Sequence, residues 1–353
     1  MSSNKTLIQH ERALSVCRAA ALRRGVPAEH AQWFAEALVR TSLAGIDTHG
    51  LRLFPLYLRE LDEGRSNPKP ALRLLKSEGA TTVLDADNAL GTVAATHAAH
   101  LVAQRAAAHG VGVVSVANSN HFGAASVYGQ IIANQGMVGL VMTSAASRMA
   151  PYNGRVPIFG TNPICFSTPT VSSDPYVFDM ATSQISYSQI KHFRKNGLSL
   201  PAGWALDRQG EATQDPAHVH ALSPLGGYKG QGLAMMVQML SCLLSAMPLD
   251  HELTHLDTGA FDKGRRIGHF FLAIDPSRFV DPHWFRQSVD VLLNMLRQSP
   301  AREGEEVQVP GDPQSRCTRE RLLKGIPMNA EEADAFLTEE AACGATDLQG
   351  RQA

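Results

Sequence analysis

Polar and apolar positions follow two different rhythms along this chain. Over residues 6–24, Leu7, Leu14, Cys17 and Ala21 recur at helical spacing, and Gly25 stands where a helix would end. Pro27 is placed to open a second helix with Trp33, Phe34, Leu38 and Leu43 as its apolar stripe. A third helical stretch, LFPLYLRELDEG, closes at Gly64, and SNPKPAL reads as a linker. From residue 81 the rhythm changes. TTVLDAD reads as strand, TVAATHAAHLVAQRAAAHG as helix, GVGVVSVAN as strand, FGAASVYGQIIANQG as helix and MVGLVMTS as strand. PIFGTNPICFSTPT and PYVFDMATS follow as extended segments, then a helix in GLAMMVQMLSCLLSA, a strand in HFFLAID and a helix around WFRQSVDVLLNML. After them come a polar loop, PAREGEEVQVPGDP, and a short acidic helix, EEADAFLTEE.

Alternation of strands and helices predicts an α/β layered structure. The expected division is a central α/β domain over residues 76–294, binding cofactor and substrate, and a helical domain from residues 1–75 with 295–345. The 353-residue length supports two units, because a single core stops growing near this size. With 44% apolar and 18% charged residues, global disorder is excluded. A net charge of −1 without a basic block argues against nucleic acid as a partner. No run approaches the roughly 18 apolar residues of a membrane span, and the N-terminal stretch has no apolar signal core, so no membrane is expected. Cys17, Cys165, Cys242, Cys317 and Cys343 form neither a zinc spacing nor a disulfide framework, and a reducing cytoplasm fits them. No metal is expected.

No G-x-G-x-x-G lies between a strand and a helix, and there is no P-loop and no H-E-x-x-H. Four other segments could carry chemistry. Asp47-Thr48-His49-Gly50 sits at a helix junction, with Asp47 suited to an N-cap and His49 projecting. Histidine exchanges a proton near neutral pH, although a surface histidine in a capping turn is equally open at this point. Asn118-Ser119-Asn120-His121-Phe122-Gly123 follows a strand, where α/β proteins place ligands; it could equally be a polar turn. Gly160-Thr161-Asn162-Pro163 and Asp179-Met180-Ala181-Thr182-Ser183 offer small residues, free N–H groups and hydroxyls to a pyrophosphate, or ordinary helix-start chemistry. Lys229, among four glycines in PLGGYKGQG, could meet a phosphate or simply be solvated.

Taken together and in order, GIDTHG, NSNHFGAA, GMVGLVMTS, MAPYNG, FGTNPICFSTPT, FDMATSQIS, LPAGWALD, PLGGYKGQGLAMM, HFFLAIDPSRF and VPGD resemble the type-2 malate/L-lactate dehydrogenase family. That family also holds ureidoglycolate and sulfolactate dehydrogenases and diketogulonate and cyclic-imine reductases. The resemblance covers about residues 6–330. It implies a non-Rossmann α/β fold with a mixed sheet and a helical domain, NAD or NADP as cofactor, and a small 2-keto or 2-hydroxy acid as substrate. A homodimer or higher homo-oligomer with sites near the subunit interface is implied as well. Residue by residue, it implies His49 and His121 as catalytic acid/base candidates. Asp179, Met180, Ala181, Thr182, Ser183, Lys229, Gly311 and Asp312 would contact the dinucleotide, with Ser144 and Tyr228 beside them. Arg52, Asn120, Thr161 and Asn162 would face the substrate.

Three positions depart from the family pattern. Many members carry an arginine four residues after the first histidine, where this chain has Leu53; Arg52 lies one residue earlier, which on a helix turns the side chain by about 100°. The family T-N-S reads Thr143-Ser144-Ala145, and the G-K-[IV] after M-A-T-S reads Ser188-Gln189-Ile190. The reading is an oxidoreductase of 2-hydroxy acids. The alternatives are a cyclic 2-imino acid reductase on the same scaffold and a catalytically silent dinucleotide-binding homologue.

Overall fold

The structure, a computed structural model, describes residues 5–171 and 174–350, with side chains as far as residue 344. Residues 1–4 of the expected helical segment lie outside the described residues. In chain order the elements are β1 (Thr6–Ile8), α1 (His10–Arg23), α2 (Ala28–Leu43), two 3-10 turns (Asp47–His49 and Leu51–Leu53), α3 (Phe54–Asp62), β2 (Arg73–Glu78), β3 (Thr81–Asp85), α4 (Gly91–His109), β4 (Val111–Ser119), α5 (Ala125–Asn134), β5 (Val138–Thr143), β6 (Ile164–Thr168) and β7 (Tyr176–Met180). Then come α6 (Tyr187–Lys195), β8 (Ala205–Leu206), β9 (Ala221–Leu222), α7 (Tyr228–Gln238), β10 (Ile267–Ile274), α8 (Pro282–Arg297), α9 (Asp312–Lys324), β11 (Ile326–Met328) and α10 (Ala330–Gly350).

A seven-stranded mixed sheet carries the centre, in the order β2-β3-β4-β10-β5-β6-β7. Only β3 and β4 run parallel; β10 is antiparallel to both of its neighbours. The period-2 alternation of β10 explains its burial on two faces. Phe271 and Ala273 join the core under α4 and α5, while Phe270 faces the opposite way into a second cluster with Met142, Ile164 and Val237 of α7. Helix α4 lies close on β4 because its inner face is alanine: Ala95, Ala98, Ala99 and Ala106 are fully buried. The second glycine of GVG belongs to this packing, since a Cβ on Gly112 would lie 2.3 Å from the Val102 carbonyl.

The expected helix over residues 6–24 begins only at His10. Thr6–Ile8 pair instead with Ile326–Met328 in a two-stranded ribbon that ties the two ends of the chain together. Strand β2 follows the expected linker, in a stretch where no element was expected; every one of its residues is exposed, so it carries no alternation to read. The polar loop after residue 300 gives way to α9, and α8 runs unbroken across the expected boundary at residue 294. Asp47 caps no helix; its carboxylate holds Arg321 of α9, with Nη2 at 3.0 Å.

Antiparallel pairing brings five chain segments to one edge of the sheet. The register sets Ser119 opposite Ile267, Met142 opposite Ile164, and Ile164 opposite Met180. The segments after β4, β5 and β7 therefore emerge beside those that precede β6 and β10. Gly91, at the start of α4, fits beneath this edge only without a side chain: its Cβ would stand 2.3 Å from both the Asn120 and His121 carbonyl oxygens. We expect Gly91→Ala to cost on the order of 1–3 kcal/mol in urea denaturation, as overpacking does. Gly232→Ala, which would meet no atom within 4 Å in the interior of α7, should be neutral or gain up to about 1 kcal/mol from helix propensity. Equal effects at the two sites would contradict this packing.

Candidate active site

Two histidines meet where the sheet edge faces the 3-10 turns. The chain leaves β4 through Asn118 (φ 52°) and bends again at Gly123 (φ 79°), and this loop holds His121. A Cβ on Gly123 would lie 3.2 Å from the His49 carbonyl, so the two loops press together there. The imidazoles of His49 and His121 are 5.8 Å apart, centroid to centroid. Nδ1 of His121 is 2.6 Å from the hydroxyl of buried Tyr57 on α3, and Nδ1 of His49 is 2.8 Å from the Thr48 hydroxyl.

Burial pushes the basicity of His121 well below the ordinary imidazole range, and His49, Arg265 and His269 push it further. Burial alone lowers His49. Tyr57 is driven well above the usual phenol range, chiefly by burial and then by Glu60. At neutral pH both imidazoles are uncharged and the phenol keeps its proton. A neutral His121 whose Nδ1–H donates to the Tyr57 oxygen presents a free Nε2 lone pair, which suits a base; once protonated it can return the proton at Nε2.

Beneath them lies His269 of β10, fully buried. Its Nδ1 is 2.7 Å from the Thr143 hydroxyl and its Nε2 is 2.8 Å from the Ser119 hydroxyl, with its ring stacked on Phe122 at 4.7 Å. Loss of solvent drops its pKa to about 3.

Several polar residues expected at the site are committed elsewhere. Asn120 is fully buried and staples backbone: Nδ2 donates to the carbonyls of Asn88 (3.1 Å) and Ala89 (3.0 Å), and Oδ1 accepts from Arg265 N–H at 3.0 Å. Asn162 donates to the Ala234 carbonyl and to Asp250, which also accepts from Gly160 N–H. Arg52 is half-exposed and reaches only toward Glu332, at 3.9 Å. Ser144 exchanges hydrogen bonds with the Gly268 backbone.

The loop 250–266 is latched by Arg65, whose fully buried guanidinium donates to the carbonyls of Leu256 (2.9 Å), Thr258 (3.1 Å) and Ala260 (2.9 Å). It also lies 3.5 Å over the Phe261 ring.

The segments expected to hold a dinucleotide are partly united. Thr182 donates from its N–H and hydroxyl to the Thr161 carbonyl, and its own carbonyl accepts from Leu225 N–H. A Cβ on Gly230 would lie 2.8 Å from that same Thr182 carbonyl. GTNP, DMATS and GGYKG thus form one body. Lys229 stands in the first turn of α7 rather than in a loop before it, exposed beside exposed Tyr228. Asp179 is half-buried and accepts from Ser126 N–H at 2.8 Å, which ties DMATS to the start of α5. Gly311 (φ 97°) and Asp312 lie at the other end of β7. They border a cavity of 440 Å³ with Tyr176, Leu293 and Arg316, and Asp312 is held by Arg297 at 2.7 Å. Among the described residues no group of three or more His, Cys, Asp or Glu could hold a metal, and no helix is long and apolar enough to cross a membrane.

Tyr57, Arg265 and His269 were not singled out by sequence reasoning. For two of them the signal was a polar group in apolar surroundings, a tyrosine on the inner stripe of α3 and a histidine in the run HFFLAI; Arg265, in the polar stretch DKGRR, carries no such signal.

A mixed sheet without a Rossmann fingerprint, carrying an imidazole pair at one edge, defines a non-Rossmann α/β protein. The family model for malate/L-lactate dehydrogenase matches residues 8–336, and the chain belongs to that family. It is 36% identical over 303 residues to the L-sulfolactate dehydrogenase of Methanocaldococcus jannaschii, covering 84% of this chain and 86% of that one. It is 31% identical over 339 residues to a malate dehydrogenase of Pyrococcus horikoshii, covering 93% of each. It is 33% identical over 303 residues to the NAD(+) ureidoglycolate dehydrogenase of Escherichia coli, covering 86% of each. Among solved structures, the M. jannaschii sulfolactate dehydrogenase superposes with a TM-score of 0.90 at 32% identity, covering 96% of this chain and 98% of that one. The Pseudomonas syringae Δ1-piperideine-2-carboxylate reductase gives 0.85 at 28% identity, covering 95% and 99%.

The depressed pKa of His269 has a consequence for stability. The unfolded chain protonates this ring near pH 6.5, while the folded chain resists down to about pH 3, so its contribution is complete above pH 6.5 and is lost as the pH falls. At pH 5 this group alone should cost about 2 kcal/mol relative to pH 7.5, and His121 and His49 act in the same direction. Urea denaturation across this range should show the fall, with a shallower slope in His269→Gln. A flat profile in the wild type would contradict a neutral, buried His269.

Proposed function

We propose that the protein is an NAD- or NADP-dependent dehydrogenase that interconverts a small 2-hydroxy acid and its 2-keto acid, with His121 as the group that takes and returns the substrate proton. The observation that carries this reading is the buried His121–Tyr57 pair facing His49 at the sheet edge, beside the body made by GTNP, DMATS and GGYKG. That body suits a dinucleotide. Small residues allow close backbone approach, Gly226 and Gly232 have open space where a side chain would stand, and Lys229 has no acidic partner among the described residues. When bound, the nicotinamide supplies or accepts the hydride. The residues of this chain do the remainder. Tyr57 orients the His121 ring, His121 holds or releases the proton at Nε2, and His49 borders the same space as the second acid/base candidate.

The names of the relatives point to hydroxy acids that carry a second polar or anionic group, so malate and sulfolactate are tested first. The likeness to a piperideine-2-carboxylate reductase favours a second reading, reduction of a cyclic 2-imino acid at the same site. A screen of malate, sulfolactate, lactate and ureidoglycolate, and of pyruvate, oxaloacetate and piperideine-2-carboxylate, with both cofactors at the absorbance of reduced nicotinamide, decides between them. We also propose a homodimer or higher homo-oligomer. Tyr228 at the start of α7, Leu243 and Leu244 beyond its end, and Val291, Leu292 and Met295 on α8 are more than half exposed, apolar surface suited to a second copy. Five free cysteines fit a reducing cytoplasm.

Replacing His121 by Ala should lower kcat by about 10²–10⁴ with cofactor affinity retained, and His49→Ala should act in the same direction. Near wild-type turnover in both variants would remove the acid/base assignment. Lys229→Ala should weaken reduced-cofactor binding about tenfold or more, as loss of a charged hydrogen bond does. Fluorescence titration reads this directly; unchanged affinity with a large loss of kcat would move Lys229 from binding to chemistry.

A further inference from the structure

The family resemblance expects an arginine for the substrate carboxylate at position 53, where this chain has a leucine that packs against the core. Arg52 beside it is half-exposed and turned toward Glu332. Another guanidinium is better placed. The β4–β10 register sets Ile267 opposite Ser119, and continued by two residues it sets Arg265 opposite His121. The backbone supports that placement, since Arg265 N–H donates to Asn120, the residue before His121.

The Arg265 side chain is buried, at 7% exposure, and poorly satisfied. One Nη2 hydrogen bond goes to the Thr254 carbonyl at 2.7 Å, and Nε has no partner. No carboxylate among the described residues stands within ion-pair distance of it. The acid nearest in charge terms, Glu60, is fully buried and already engaged by Arg65 at 3.4 Å and Ser66 at 3.3 Å. Asp257 is held by Lys191 at 3.0 Å. Glu60, Arg65 and Arg265 therefore bury two positive charges against one negative. An excess buried charge is costly unless something neutralises it, and this one lies next to the proposed proton-handling group. Burial lowers the Arg265 pKa to about 10, as expected for a guanidinium that lacks a full partner.

We propose that Arg265 is the cation that grips the carboxylate of the substrate, a role the family pattern would assign to position 53. The proposal rests on the 2-hydroxy acid reading above. Through Nε and its uncommitted Nη hydrogens, Arg265 holds the carboxylate with the adjacent C2 oxygen turned toward His121 Nε2. The bound anion closes the charge balance of the Glu60, Arg65 and Arg265 cluster and offsets the part of the lowering of His121 that, after burial and His49, comes from the guanidinium. A planar fork meets a carboxylate at two points, which a lysine does not.

The test compares wild type, Arg265→Lys, Arg265→Gln and Arg52→Gln on the best acid from the screen and on its methyl ester. Expected is a loss of at least a hundredfold in kcat/KM for the acid in Arg265→Gln, a smaller loss in Arg265→Lys, and less than a threefold difference between variants on the ester. Arg52→Gln should stay within threefold of wild type. NADH affinity by fluorescence should hold within twofold throughout. Equal losses on acid and ester, a fall in NADH affinity in step with activity, or a large loss in Arg52→Gln in place of Arg265→Lys would each overturn the proposal. If Arg265→Gln does not fold, the Lys and Arg52 variants decide alone. If wild type turns over no acid in the screen, the hydroxy-acid reading fails by itself. Arg265 is then judged by oxalate: stabilisation of the wild type against heat that is lost in Arg265→Lys supports an anion site, and equal stabilisation of both removes it.

Discussion

Everything at the active edge depends on the insertion of β10, antiparallel, between β4 and β5. Parallel neighbours would send their following loops to one end of the sheet and their preceding loops to the other. A single antiparallel strand in the middle places the start of one segment beside the ends of two others. Ile267 faces Ser119 and His269 faces Thr143 for this reason, and the His269 ring is caught between the hydroxyls of both neighbours. Ladder hydrogen bonds and the two-faced burial of Phe270 and Phe271 fix the register, since a slip of one residue would exchange the two cores.

Ending five segments at one edge leaves backbone groups without ladder partners, and buried and half-buried side chains answer part of that demand. Asn120, Asn162, Asp179 and Asp250 bond backbone N–H and carbonyl groups rather than solvent. Their desolvation is the cost of an edge lined with fixed dipoles. Lys229 differs from them in standing exposed with no acidic partner among the described residues.

The elements with strong periodicity were legible in the sequence: α2, α4, α5 and α8, and β3, β4, β5 and β10 all appear where alternation or a helical stripe announces them. The missing ones share a physical cause. Strand β2 has no buried face, α9 contains no buried residue, and α6 buries only Ile190, so none carries a burial pattern. The site was legible in pieces. His49 and His121 stand out by their turn settings, but their meeting depends on tertiary contact across 72 positions, and Tyr57 sits in what reads as an ordinary apolar stripe. Asn120 and Asn162 looked like ligands because a polar residue in a strand-end loop gives no sign of whether it faces the cavity or the backbone behind it.

The Arg65 latch has a consequence for motion. Three carbonyls of one loop converge on a single buried guanidinium stacked on that loop's own Phe261. The loop can lift only by breaking all of these bonds at once and stripping the buried Arg65, paired with Glu60, of its other hydrogen-bond partners, so it behaves as part of the frame and not as a lid. Any breathing that admits a ligand must then come from the other side, where the short 3-10 turns around His49 are held to the C-terminal helices by two exposed or half-exposed ion pairs, Asp47 with Arg321 and, more loosely at 3.9 Å, Arg52 with Glu332. The loop 250–266 is a fixed anvil and the 3-10 turns a more lightly pinned hammer, and slow hydrogen exchange on the first with faster exchange on the second is the signature this asymmetry would leave.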